Sequence, residues 1–191
     1  MGGKEEMKKL DINKVWATTL ILFLICVIVT AALAGTNYIT APRIAALQEQ
    51  AQKDAMAVVL PAEKYENLNI PTDSFSKECY VALKDGEIIG YIATASVSGY
   101  GGEVKVMVGV DGSDNITAVK ILSASDETPG LGMNITKKDY YGQYSGKKAD
   151  FKDEEIVNVT GATISSTAAK NAVKEAVLLV NYAKTKFGEV K

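Results

Sequence analysis

Residues 158–170 read NVTGATISSTAAK, which sets five small hydroxyls (Thr160, Thr163, Ser165, Ser166 and Thr167) around a Gly161-Ala162 step ahead of a helix-forming run. Hydroxyls in such a place have two uses. They can accept hydrogen bonds from the free N–H groups that open a helix, or one of them can carry a group bound covalently to its oxygen. The first use makes the segment an over-supplied helix cap and the second a modification site. The segment taken alone leaves both open.

Two glycine-rich stretches lie upstream. SGYGGE (98–103) holds Tyr100 and Gly101, and DETPGLGMN (126–134) holds Glu127, Thr128, Pro129, Gly130, Leu131 and Gly132. In the second, Pro129-Gly130 and Gly132 force a compact turn with Leu131 pinned between glycines. N–H groups of such a turn can lie against a planar ligand or receive an anionic edge. Ordinary turn chemistry accounts for the stretch equally well, and the glycines of 98–103 fit a strand break or bulge.

Composition removes several competing chemistries. The 191 residues contain no histidine, which excludes the commonest transition-metal ligand and the usual acid/base of neutral pH. Cys26 and Cys79 are too few for a four-thiolate zinc or iron–sulfur site. They lie far apart, Cys26 within an apolar run, so no disulfide is expected. A formal charge of −2 and the lack of a basic cluster in the folded part exclude a nucleic-acid binder. Redox work by this chain requires an organic cofactor.

The elements that must position these residues start with an anchor. Val15 to Ala34 is uncharged, and at about 1.5 Å per residue it spans roughly 30 Å, the thickness of a bilayer core. Lys4, Lys8, Lys9 and Lys14 precede it, whereas only Arg43 and Lys53 fall in the twenty residues that follow. The positive-inside rule therefore places 1–14 in the cytoplasm, 15–34 in the membrane and the rest outside. A cleavable signal peptide ending near ALAG (32–35) is the competing reading, but the apolar run exceeds the roughly 7–15 residues of such a segment. A juxtamembrane helix is expected over 35–62, starting near Pro42, with an apolar stripe at Ile44, Leu47, Ala51, Ala55 and Val58.

Beyond it, 63–76 reads as an irregular connection. CYVALKDGEIIGYIATASV and EVKVMVGVDGSDNITAVKILSAS then read as four strands, turning at Asp85-Gly86 and near Asp111–Asn115. A last helix from about Ser166 to Thr185 carries the stripe Ala169, Val173, Ala176, Val180 and Ala183. The expected class is α+β, an antiparallel sheet packed with helices and preceded by one N-terminal transmembrane helix.

SGYGGEVKVMVGVD, DETPGLG and TGATISS follow in this order within some seventy residues. Together they resemble the FMN-binding domain shared by the G subunit of the Rnf complex and the C subunit of the sodium-pumping NADH:quinone oxidoreductase. The resemblance extends to the anchor and to Asn37, Thr40, Pro42 and Ile44 at the following helix start, and chain length is nearer the Rnf member. It implies an FMN-binding region over about 95–185 of an extracytoplasmic domain 63–191. It further implies FMN joined by a phosphoester to Thr163, the second threonine of Thr-Gly-Ala-Thr, by a separate flavin transferase that uses FAD and magnesium. A free threonine hydroxyl is a weak nucleophile without a base or metal beside it, and none is near, which suits an acceptor.

Thr160, Gly161, Ala162, Ser165 and Ser166 would flank the phosphate, near helix N–H groups that favour an anion. Some of the hydroxyls are expected to cap the helix. The isoalloxazine would meet the Glu127–Gly132 loop, chiefly Thr128 and Leu131, with Tyr100 and Gly101 on the opposite side. One residue departs from the pattern: the transferase motif commonly opens with aspartate six positions before the acceptor, where this chain has Val157. The implied function is electron transfer within a ferredoxin:NAD oxidoreductase complex that exports sodium or protons, beside other membrane and iron–sulfur subunits, with no general acid or base in this chain. The alternatives are a stand-alone flavoprotein of another extracytoplasmic electron chain and an unflavinylated assembly module.

Overall fold

The computed structural model describes residues 12–70 and 77–188. Lys4, Lys8 and Lys9, and positions 71–76 of the expected connection, lie outside the described residues. The chain divides into two compact units at Glu49/Gln50.

The first unit is the greater part of helix α1 (Ile12–Val59). Among its side chains Leu20, Leu22, Phe23, Leu24 and Ile28 are all more than half exposed. A helix apolar on every side and covered by no protein is what a bilayer solvates. The helix does not restart at Pro42, which lies within it; the segments expected as two helices are one. The proline leaves the Tyr38 carbonyl without its helical N–H. Close by, the hydroxyls of Thr36 and Thr40 donate to the carbonyls of Ala32 and Thr36, both at 2.9 Å.

The second unit is an antiparallel sheet in sequential order, β1 (Lys64–Asn67), β2 (Glu78–Lys84), β3 (Glu87–Ser98), β4 (Glu103–Asp111) and β5 (Ile116–Ser123). It has five strands rather than four, because β1 pairs Lys64–Asn67 with Leu83–Tyr80 in the stretch expected to be irregular. The β2–β3 hairpin turns on Asp85 and Gly86, both with positive φ (54° and 81°), as a two-residue turn of matching twist requires. After β5 come short helical turns over 132–136, α2 (Lys138–Tyr141) and turns at 142–144 and 153–155, then the long α3 (Thr163–Phe187).

Period-two alternation gives the sheet two apolar faces. Cys79, Val81, Ala93, Ala95, Val104, Val106, Val108 and Val110 form one core with α3, whose predicted stripe Ala169, Val173, Ala176, Val180 and Ala183 is fully buried. Ala82, Ile92 and Met107 meet Ala55, Met56, Val59 and Leu60 at the end of α1 on the other. The stripe expected on that helix is out of step: Ile44, Leu47 and Val58 are exposed, and of the remaining two only Ala55 is buried. The Thr117 hydroxyl donates to the Val59 carbonyl at 2.6 Å and the Tyr65 hydroxyl to that of Leu60 at 3.0 Å, and these bonds fix which face of the last turns meets the sheet.

Candidate functional site

The hydroxyl-rich segment opens α3. Thr160-Gly161 forms a turn in which Gly161 has φ 77°, and Ala162, at φ −124°, is the N-cap. Thr163 is thus the first helical residue, three positions before the expected start. No side chain caps the helix, so the expectation that some of these hydroxyls cap is corrected. The first intrahelical bond runs from the Ser166 N–H to the Ala162 carbonyl at 2.9 Å. The N–H groups of Thr163, Ile164 and Ser165 have no intrahelical acceptor, as at any helix start.

Helical geometry separates the hydroxyls. Thr160, Thr163 and Thr167 are exposed, while Ser165 and Ser166 are buried. The Ser166 hydroxyl accepts the Val159 N–H at 3.0 Å, and its carbonyl accepts the Tyr140 hydroxyl at 2.9 Å. Burial pushes the Tyr140 phenol upward in pKa and keeps it a donor. The segment leading to Thr160 is held along its length: Lys170 Nζ donates to the Asp153 carbonyl at 2.9 Å, and the Gln143 side-chain amide makes two bonds to the Val157 backbone, at 2.8 and 3.2 Å. The Val157 side chain is left in solvent.

Ser165 turns the other way. Its hydroxyl donates to Glu127 Oε2 at 2.6 Å, while Oε1 accepts the N–H groups of Tyr100 at 2.7 Å and Gly101 at 3.4 Å. Glu127 is 1% exposed. Its carboxylate therefore points under the loop, away from the ligand side that the resemblance implies for it. The loop is shaped by the Leu131 and Met133 N–H groups on the Thr128 carbonyl, at 3.2 and 3.1 Å, and by the Asn134 amide on the Gly130 carbonyl at 2.8 Å.

Above this underside is a cleft of about 520 Å³ lined by Tyr100, Thr128, Leu131, Gly132, Gly161, Ala162, Thr163, Ile164 and Ser165. Eight residues read from the sequence meet there, and Ile164, which was not among them, joins. Ser166 and Glu127 lie buried beneath; Thr160, Pro129, Gly130 and Gly101 are exposed at its margins. Tyr100, Leu131 and Ile164 present exposed apolar surface to the cleft, a suitable wall for a flat aromatic ring. Ile164 is legible only once the helix start is known, since it is the residue beside Thr163 on the open side. A larger hollow elsewhere, bounded by Asp114, Lys148, Asp150, Lys174 and Asn181, includes none of these groups.

The FMN-binding domain family matches residues 99–178, a span that encloses every residue lining the cleft, and the RnfG N-terminal region matches residues 7–59. The G subunit of the proton-translocating ferredoxin:NAD(+) oxidoreductase complex of Clostridium ljungdahlii is 37% identical over 179 residues, 89% of this chain and 94% of that one. The chain belongs to the RnfG family. Another member, the G subunit of the Na(+)-translocating ferredoxin:NAD(+) oxidoreductase complex of Acetobacterium woodii, is 33% identical, covering 91% of this chain and 95% of that one. The crystal structure of the C subunit of the Na(+)-translocating NADH-quinone reductase of Parabacteroides distasonis shares the fold, with a TM-score of 0.50 at 21% identity over 68% of this chain and 79% of that one. Membership of the RnfG family thus goes with an FMN-binding domain and an N-terminal helix long and apolar enough to cross a membrane.

Proposed function

We propose that this RnfG-family chain is an electron-transfer component of an ion-translocating ferredoxin:NAD oxidoreductase complex and carries FMN through a phosphoester on Thr163. The observation that carries this reading is the position of Thr163: an exposed hydroxyl on the first residue of an uncapped helix, at the rim of a cleft walled by Tyr100, Leu131 and Ile164. The residues present fit the group. The phosphate would lie against the open N–H groups of α3, where the helix dipole favours negative charge. The ring would lie between Leu131 and Thr128 on one side and Tyr100 on the other. Bound FMN would supply the electron-transfer chemistry, and the chain would orient it and set its surroundings.

Attachment needs an outside catalyst. The threonine oxygen must form a bond to the flavin-side phosphorus of FAD while the pyrophosphate bond breaks and AMP departs, and the hydroxyl proton must go to a base. None of the residues lining the cleft is a base suited to this, so a flavin transferase with magnesium supplies it. Lysines ahead of Val15 retain the N-terminus in the cytoplasm, which puts the flavin domain outside, next to the other membrane and iron–sulfur subunits.

Expression with and without a flavin transferase, followed by denaturing electrophoresis, tests the linkage. Flavin fluorescence should stay with the wild-type band, depend on the transferase and vanish in Thr163→Ala. A dark wild-type band, beside a control protein that the same transferase labels, overturns the assignment.

A further inference from the structure

We infer that Glu127 is a positioning residue for the flavin cleft, a buried clamp that joins the Tyr100 turn to the first turn of α3 and acts on the ring through those two elements, without touching it. The inference rests on the proposed flavin at Thr163 for its redox consequence, but the clamp itself is a property of the chain.

Three observations carry it. First, the carboxylate is buried and serves donors from two separate elements: the N–H groups of Tyr100 and Gly101 on Oε1, and the Ser165 hydroxyl on Oε2. Hydrogen bonds to a carboxylate are among the stronger ones, and removing a shared buried acceptor strands every donor it served. Second, the glycines of both loops are where the carboxylate needs them. A Cβ on Gly99 would overlap Glu127 Oε1, and one on Gly132 would lie 2.7 Å from Oε2 and 2.8 Å from the Ser165 Oγ. Glycines that look like room for a ligand are, at these two positions, room for Glu127. Third, the turn packs on Asp126 through Gly101 and Gly102 but has few hydrogen bonds of its own. Within residues 99–102 the one backbone bond is Gly99 N–H to the Gly102 carbonyl, at 2.6 Å, yet Tyr100 stands 69% exposed as one wall of the cleft. Its placement depends on the acceptor beneath it.

The clamp also puts a negative charge under the cleft floor, in a site closed to water where charge is poorly screened. Electron density added to a ring above it is disfavoured. Glu127 therefore both orders the cleft and holds the midpoint potential of its flavin down.

The test uses the full chain in detergent. Without the transferase, hydrogen exchange of the peptide containing Tyr100 and Gly101 reads the clamp alone. With the transferase, emission anisotropy and midpoint potential of the attached flavin read its effect on the ring. In Glu127→Gln the Tyr100 amide should exchange about tenfold faster, the scale of one weakened charge-assisted bond, with lower anisotropy and a more positive potential. Ser165→Ala cuts only the α3 arm; it should lower anisotropy and leave Tyr100 exchange at the wild-type rate. Wild-type exchange, anisotropy and potential in Glu127→Gln overturn the inference. Should that variant fail to accumulate, unchanged anisotropy in Ser165→Ala does so. Absence of covalent flavin from the wild type would instead count against the flavin assignment, and the exchange measurement would still decide the clamp.

Discussion

Gly161 combines a φ of 77° with a Leu131 methyl 3.0 Å from where its Cβ would be. Gly161→Ala should cost about 1 kcal/mol in backbone strain and push Leu131 into the cleft, so the flavinylated fraction should fall while the fold persists; in-gel fluorescence normalised to protein reads this directly. Cys79 makes the opposite case. Burial pushes its thiol up to about 12 and leaves it 2% exposed, so thiol reagents should modify it only after denaturation. The crowding of hydroxyls on the Thr-Gly-Ala-Thr segment and its place ahead of a helix were legible because residue types and order carry them. The direction of each hydroxyl was not. Residues on a helix rotate by about 100° each, so a start three positions early sets the directions of residues 163–165, and the Ser165 and Ser166 hydroxyls are taken up by Glu127 and the Val159 N–H. Glu127 misled for a related reason: its place beside Thr128 and Leu131 in sequence says nothing of which side of a turn its carboxylate takes.

At the scale of elements, the end of α1 is an integral layer of the fold. Met56 is 5% exposed in the cluster that it forms with Ile92 and Met107, and Met56→Ala should cost about 2–5 kcal/mol, seen as a lower thermal midpoint, whereas Leu47→Ala, at an exposed position, should leave it nearly unchanged. Sequence periodicity favoured the wrong face here because apolar residues populate several stripes of this helix, and only tertiary bonds from Thr117 and Tyr65 select among them. Strand β1 escaped notice for the opposite reason. KYEN shows no apolar alternation, and three of its four residues are exposed; its strand character comes from pairing with β2. The hairpins and the α3 stripe were readable because each is a local pattern that burial then enforces.

At the scale of the whole molecule, three carboxyls among the described residues, those of Asp111, Asp153 and the exposed Glu155, are held below their ordinary pKa. Burial pushes the Asp111 carboxyl up, but the Asn115 backbone and side-chain amides, the Ser113 N–H and the Lys184 charge outweigh it and hold it below the ordinary 3.8. The hydrogen bond from Lys174 does the same for Asp153. A depressed folded-state pKa contributes stability that is present above the unfolded value and lost as pH falls through the folded one. Asp111→Asn with Asp153→Asn should therefore lower the melting temperature at pH 7, with the difference from wild type shrinking as pH falls below 3.8, as thermal scans across that range would show. The orientation proposed from the lysines has its own test: Ser125→Cys, exposed at the end of the sheet, should react with a membrane-impermeant maleimide on intact cells, and labelling only after permeabilisation would reverse the topology. One last consequence follows from the rim position of Thr163. A ligand fixed by a single bond is presented to its cleft at an effective concentration of about a millimolar or more, whatever the supply of free ligand. Under the proposed linkage the tether would guarantee residence, and the cleft could stay open, serving access to a neighbouring carrier instead of grip.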